Sequence, residues 1–315
     1  MISGREIKEA SDRLQGLVHH TPLFRSHYLD QLFKGQVYLK AENLQKTGSF
    51  KARGALNAIL SLDEQALKSG VATHSSGNHG QALAWAARRM DVPAFIVMPE
   101  NAPSVKVAAV RHYGAQIQFC ASNLPAREAG LEKVMADTGA SFIPPYNFHH
   151  TIAGQATCAY EILQDMAQPD ILLVPVGGGG LLSGSALSAR AFSPGTRTVG
   201  CEPEQANDAW RSFKEGHFVP SVNPDTIADG LRTSLGDITY GYIKEFVDDI
   251  LTCSETGIVR AMRLIWERMK LVVEPSAAVP LACMMENPEY FRGQRVAMIL
   301  SGGNVDLDRL PFQKA

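Results

Sequence analysis

The sequence predicts an α/β protein built on mostly parallel, twisted sheets flanked by helices. Three observations carry that reading. Short apolar, β-branched runs alternate with helical stretches, the pattern of βαβ units. Some runs, ILLVPV (171–176) above all, are apolar throughout and bounded by glycine, as strands covered on both faces are. Glycine turns follow several strands, and in such sheets ligands bind at the carboxyl ends of strands, where helices begin.

The elements follow in order. VYLKAE (37–42) reads as a strand, and FKARGALNAILS (50–61) as a helix opened by Thr47, Gly48 and Ser49. Residues 71–74 form a short strand, GNHGQALAWAARRM (77–90) a helix, and PAFIVMP (93–99) a strand. SVKVAAVRHYG (104–114) is a helix closed by glycine, QIQFC (116–120) a strand and 124–138 a helix. After the strand 171–176 come the helix LLSGSALSARAF (181–192) and a strand in TRTVGCEP (196–203). VAMILSGG (296–303) is an apolar strand ending in glycine, and PPYNFHH (144–150) is the best candidate for a crossing between domains.

The 315 residues, 45% hydrophobic and 20% charged, suffice for a substantial core. A net charge of −2 gives no reason to expect nucleic acid or an anionic membrane as partner. The polar N-terminus MISGREIKEASDRLQ lacks the apolar stretch of a signal peptide, and no apolar run approaches the ~20 residues of a membrane span. Cys120, Cys158, Cys201, Cys253 and Cys283 are scattered, with no C-x-x-C pair, and read as small buried hydrophobes in a reduced compartment. A cytoplasmic protein is expected.

Four consecutive glycines, 177–180, follow the strand 171–176 and precede a helix. Glycine loses the most backbone entropy on folding, so such a run needs a reason. Close approach of the backbone to an anion at a helix N-terminus supplies one. The G-x-G-x-x-G pattern fails, because the third glycine would fall on Leu182 or Ser183, and no lysine follows as a Walker loop requires. A phosphate monoester therefore fits better than a pyrophosphate, although Glu202 stands where a ribose-binding acid would. A phosphate cradle without a nucleotide motif calls for a phosphorylated cofactor; pyridoxal phosphate (PLP) is one, and it needs a lysine. Lys51 lies just inside a helix start, where the dipole lowers its pKa.

The segments KTGSFKARGALNA (46–58), SSGNHGQALAWAA (75–87), PVGGGGLLSG (175–184), CEPEQANDA (201–209), TIADGLRTS (226–234), WERMKLVVEPSAA (266–278) and LSGGNVDL (300–307) span nearly the whole chain. In these, and in their order, the chain resembles the serine/threonine dehydratase and serine racemase group of fold-type II PLP enzymes. The resemblance implies a tryptophan synthase β-like fold, with a large cofactor domain of residues 1–68 and 148–315 and a small closing domain of 69–147. It makes Lys51 the Schiff-base residue and the base for the Cα proton, with Phe50 packed near the cofactor. Gly177, Gly178, Gly179, Gly180 and Leu181 take the phosphate, Gly230 and Glu274 lie by the ring, and Ser301 faces the pyridine nitrogen.

SSGNHG sits at a strand-to-helix turn, where Ser75 and Ser76 can cap and the amides of Gly77, Asn78 and His79 point outward. The resemblance seats the substrate carboxylate there, lets Asn78 reach the cofactor's 3′-oxygen, and makes Ser76 the second-face acid/base of racemising members. Arg127 falls where members bind a substrate side group or carboxylate; a solvated helix charge is the plain alternative. Glu202, Ala206 and Asp208 match a divalent-cation site, Mg²⁺ or Ca²⁺.

A serine at the ring nitrogen, unlike an aspartate, does not hold it protonated. The ring is then a poorer electron sink, which favours prompt loss of a β-leaving group over transamination. The expected activity is thus loss of water and then ammonia from a β-hydroxy amino acid, L-serine or L-threonine, giving a 2-keto acid. The alternatives are a serine or aspartate racemase, a 3-hydroxyaspartate ammonia-lyase, or a non-enzyme that keeps the fold. Cysteine synthases, which share the fold, carry S-V-K-D-R and T-S-G-N-T-G where this chain has S-F-K-A-R and S-S-G-N-H-G. A homodimer is expected, without a C-terminal regulatory domain.

Overall fold

The computed structural model describes residues 1–75, 77–102 and 104–312. Among these residues, ten strands form two sheets. They are Leu23–Arg25 (β1), Gln36–Ala41 (β2), Val71–His74 (β3), Ala94–Pro99 (β4), Gln116–Cys120 (β5), Ser141–Phe142 (β6), Ile171–Pro175 (β7), Arg197–Pro203 (β8), Asp249–Cys253 (β9) and Arg295–Leu300 (β10). The larger sheet has the order β1-β2-β10-β7-β8-β9, parallel except for β1 against β2. The smaller, β5-β4-β3-β6, is parallel throughout.

Alternation along the central strands explains the unbroken apolar runs. In β7, Leu173 faces one side, with Leu39, Val199 and Met298, and packs on Ala277 and Leu281 of the helix Pro275–Glu286. Its neighbours Leu172 and Val174 face the other side, with Ala297 and Ile299, under the helices His149–Asp165 and Gly180–Phe192. Both faces are dry, so both parities must be apolar. The smaller sheet is covered likewise. Val71, Ile96 and Met98 meet Leu83 and Ala87 of the helix Asn78–Arg89, and Ala72 and Val97 meet Leu131 and Val134 of the helix Leu124–Thr138.

The sequence pattern leaves unassigned some elements that the structure contains. The helix Pro275–Glu286 carries Pro275 at its start and Pro280 inside, and it is buried nearly throughout, so it offers breakers and no amphipathic period. The helix His149–Asp165 starts at the end of the predicted crossing segment. The fourth glycine of the run 177–180 is already helical, one residue earlier than predicted. Among the described residues, no helix is long and apolar enough to cross a membrane.

One feature of the core bears on the site. The helix Lys51–Ile59 is anchored by Arg53, which is fully buried and donates to Glu42 (Nε–Oε2, 2.8 Å) and Glu161 (Nη1–Oε1, 2.6 Å). Buried Lys40 joins Glu161 at 2.7 Å. Removing one member of such a network would strand a buried charge, so the helix is held in one register.

Candidate active site

Lys51 follows a 3-10 turn over Lys46–Gly48, in which Thr47 takes φ 58° and Gly48 φ 68°. A left-handed β-branched residue is strained and needs external support. The end of β10 supplies it. Phe50 N–H donates to Ser301 O (3.1 Å), Gly303 N–H to Gly48 O (2.9 Å) and Asn304 Nδ2 to Thr47 O (2.8 Å). Lys51 Nζ donates to Pro145 O at 2.8 Å and lies 5.0 Å from the centre of the Phe50 ring. Desolvation pulls its amine down from 10.5 to about 8, against the opposing pull of the Glu274 carboxylate.

Glu274, at 2% exposure, stands opposite. Its Oε1 accepts from Asn78 Nδ2 at 2.7 Å, and Asn78 Oδ1 accepts from Asn304 Nδ2 at 2.9 Å. Burial first, then the negative charge of Asp229, push the Glu274 carboxyl up to about 8; Lys106 and the Asn78 bond pull the other way. The carboxyl is therefore largely protonated near neutral pH. Asn78, predicted to reach the cofactor directly, is pinned between Glu274 and Asn304.

The loop before the helix Asn78–Arg89 presents Ser75, Gly77 and the first helical amides, with Gly77 as an N-cap that supplies no side-chain acceptor. Ser76 lies outside the described residues. His79 is buried, its Nε2 2.9 Å from Ile143 O, which makes that nitrogen the donor. Burial and the Lys51 charge push the ring pKa down to about 3, so His79 is neutral and contributes its backbone amide rather than a cation.

The glycine loop is tighter than an anion cradle alone requires. A Cβ on Gly178 would lie 2.2 Å from Tyr146 Cδ1, and one on Gly180 2.9 Å from Tyr146 Cβ. Gly179 takes φ 83°, and Thr239 Oγ1 donates to Gly178 O at 2.9 Å. Leu181 and Ser301 are buried, at 4% exposure each, and Gly230 N–H donates to Ser276 Oγ at 3.0 Å. Tyr146, the Pro145 carbonyl and Asn304 are site elements that sequence reasoning missed. Asn304 lay inside the quoted LSGGNVDL, but nothing in its type marked it.

Glu202 and Asp208 are buried at 0% and 3% exposure, beside buried Ala206. Glu202 accepts the amides of Ala209 (3.0 Å) and Trp210 (2.8 Å), and burial, then Asp208, raise its pKa well above the carboxylate range. Burial pushes Asp208 up to about 6, and among the described residues neither of its oxygens meets a donor at hydrogen-bond geometry, although Ser221 and Leu235 lie close. Two desolvated carboxylates side by side, one of them with both oxygens unmet, suit a hard cation. Among the described residues, no group of three or more His, Cys, Asp or Glu side chains is placed to hold a metal, so the set is two carboxylates and the Ala206 carbonyl at most. Arg127 makes no ion pair among the described residues and lies within electrostatic reach of His74 and Tyr146.

Among the described residues, buried polar atoms without partners occur on the turn before Lys51 (Thr47 Oγ1 and Ser49 Oγ) and on two residues within its electrostatic reach (His79 Nδ1 and Glu274 Oε2). Native interiors tolerate few such atoms, and a planar ligand with polar ring substituents would satisfy them. Comparison with known families decides what kind of ligand. The family described as "Pyridoxal-phosphate dependent enzyme" matches residues 14–302. The chain belongs to that family. Within it, the chain stands with the ammonia-lyases and racemases. It is 46% identical over 303 residues to the beta-hydroxyaspartate dehydratase of Paracoccus denitrificans, covering 96% of each chain. It is 47% identical to the L-threo-3-hydroxyaspartate ammonia-lyase of Saccharomyces cerevisiae, over 96% of this chain and 94% of that one. The crystal structure of the serine racemase of Dictyostelium discoideum superposes with a TM-score of 0.93 at 42% identity, covering 97% of this chain and 99% of the other.

Proposed function

We propose that the chain is an ammonia-lyase that eliminates water from a β-hydroxy amino acid and releases a 2-keto acid and ammonium. Among the substrates the sequence left open, 3-hydroxyaspartate is favoured over serine and threonine by the named activities of two relatives at 46% and 47% identity. The observation that carries the reading is the convergence of a desolvated lysine, a protonated buried carboxyl and an uncapped helix N-terminus on one space.

PLP bound there would withdraw electrons from Cα and so make its proton removable. Lys51, with its amine near 8, is the base for that proton. The amides of Gly77, Asn78 and His79 hold the α-carboxylate, as helix N-termini hold anions. The backbone of 177–180 and Leu181 seats the phosphate, Phe50 packs beside the ring, and Gly230 lines it. Neutral Glu274 and Ser301 face the ring without adding charge, which keeps proton return to the cofactor from competing with loss of the β-hydroxyl.

Glu202, Asp208 and the Ala206 carbonyl hold Mg²⁺ or Ca²⁺ in this reading. Arg127 is one candidate to meet a second substrate carboxylate, residues 69–147 move as the closing unit, and the enzyme is a homodimer. The similarity to serine racemases favours a second reading, with Ser76 as the acid on the opposite face, and product chirality separates the two.

The test is an absorbance spectrum with PLP and a keto-acid assay with L-serine, L-threonine and the 3-hydroxyaspartates. A visible cofactor band and keto acid are expected from the parent. In Lys51→Ala the band disappears and the rate falls below about 10⁻⁴ of the parent's, since base catalysis alone contributes about 10²–10⁴-fold. Parental turnover by Lys51→Ala would sink the assignment.

A further inference from the structure

Lys106 lies on the helix Ser104–His112, on the side of the molecule that holds the smaller sheet, with its side chain only 9% exposed. Among the described residues it makes one ion pair, at 2.5 Å to Asp229 Oδ2. Asp229 comes from the other side, in the turn Asp229–Leu231 next to Gly230. The pair is lopsided, because the Asp229 side chain is 45% exposed. Asp229 can pass into water at small loss, as half-exposed carboxylates gain little from pairing. Lys106 cannot follow, and a buried ammonium without an anion is strongly disfavoured. The arrangement holds the cation firmly and its anion loosely, which is the form of a site where the anion is exchanged.

The surroundings of the ammonium decide which anion. Gly77 opens the helix Asn78–Arg89 with no side-chain cap. Among the described residues, and leaving aside Gly77 and its chain neighbours, the nearest atom to a Cβ built on Gly77 is Lys106 Nζ, at 3.9 Å. The uncapped amides and the ammonium therefore border one open space. Neutral His79 offers no competing charge there. Two anion acceptors side by side suit a ligand with two acidic groups on adjacent carbons.

We propose that Lys106 selects for a substrate with a carboxylate on its β-carbon, and that Asp229 takes the place of that carboxylate when the substrate has none. The proposal rests on the ammonia-lyase reading and deepens it, because it names the residue that separates 3-hydroxyaspartate from serine and threonine. The α-carboxylate takes the helix amides, the β-carboxylate takes the ammonium, and Asp229 turns out to solvent.

The test compares the parent holoenzyme with Lys106→Met, Asp229→Asn and Arg127→Ala. Kinetics use L-threo-3-hydroxyaspartate and L-serine, and calorimetry uses succinate, an unreactive diacid with the same carboxylate spacing. Lys106→Met should raise KM for hydroxyaspartate about 10–100-fold and weaken succinate as much, with KM for serine within about threefold. Asp229→Asn should tighten succinate about 3–10-fold, because the internal competitor is gone. Equal losses toward serine and hydroxyaspartate in Lys106→Met would overturn the proposal, as would weaker succinate binding in Asp229→Asn, since either makes the pair a structural clamp. A diacid preference lost in Arg127→Ala but kept in Lys106→Met would also overturn it. Succinate binding that depends on Lys106, with no keto acid from any substrate, would support Lys106 and sink the lyase reading alone.

Discussion

A methyl group at Gly178 probes both reasons for the glycine run. Built on the backbone, it would lie 2.2 Å from Cδ1, 2.3 Å from Cε1 and 2.4 Å from Cγ of Tyr146, where carbons normally keep about 3.5–4 Å. The ring would have to retreat by more than an ångström. It is tied at its far end by the hydroxyl, 3.0 Å from Thr233 Oγ1, and at its near end by Cβ against Gly180. Overpacking of this kind destabilises by about 1–3 kcal/mol. Urea unfolding of the apoprotein measures it: Gly178→Ala should lose that amount, while Gly178→Ala in a Tyr146→Ala background should lose nearly nothing further. PLP affinity should stay depressed in both, because the methyl still covers the loop amides. Equal destabilisation with and without Tyr146 would refute the packing account. Full cofactor affinity in the double variant would refute the seating of the phosphate on this backbone.

Glu274→Gln should flatten the pH dependence of apoprotein stability. Below about pH 4.5 the carboxyl is protonated in both folded and unfolded chains, and between 4.5 and about 8 only the unfolded chain has released its proton. Glu274 therefore lowers stability across that window, by up to about 5 kcal/mol, and that part of the slope should be missing in the variant. Lys51 acts in a separate window, from about 8 to 10.5, where its depressed amine makes stability rise with pH. Asp208→Asn should abolish thermal stabilisation by Ca²⁺ or Mg²⁺. In the parent that stabilisation should strengthen as pH rises through about 6, since protons compete for the raised carboxylates.

The parallel strands were legible because β7 and β10 are dry on both faces, so their runs are apolar at every position. The helix Pro275–Glu286 was not, because complete burial erases the period that marks a helix and its prolines read as breaks. At the site, Lys51, the glycine run and the turn after β10 stood out as motifs. Their mutual wiring did not. Asn304 joins Thr47 to Asn78 through one amide, and no residue type signals that. His79 reads equally as a surface side chain until Ile143 is seen to hold it inside. Lys106 was one of 30 Lys and Arg residues, and only burial and its lopsided pair separate it from a solvated helix charge.

The seam between the lysine turn and the end of β10 also has a meaning in time. Thr47 and Asn304, bonded at 2.8 Å, stand 257 positions apart in the chain. During synthesis, Lys51 leaves the ribosome long before the strand that holds its turn in place. Until that strand arrives, the strained geometry at Thr47 has no support and the amine has no fixed environment. Nascent chains therefore pass through most of their synthesis unable to bind PLP stably, and cofactor capture becomes a signal that the last strand is in place. A chain truncated before residue 295 should retain no PLP once unbound cofactor is removed by desalting, however well its first half folds.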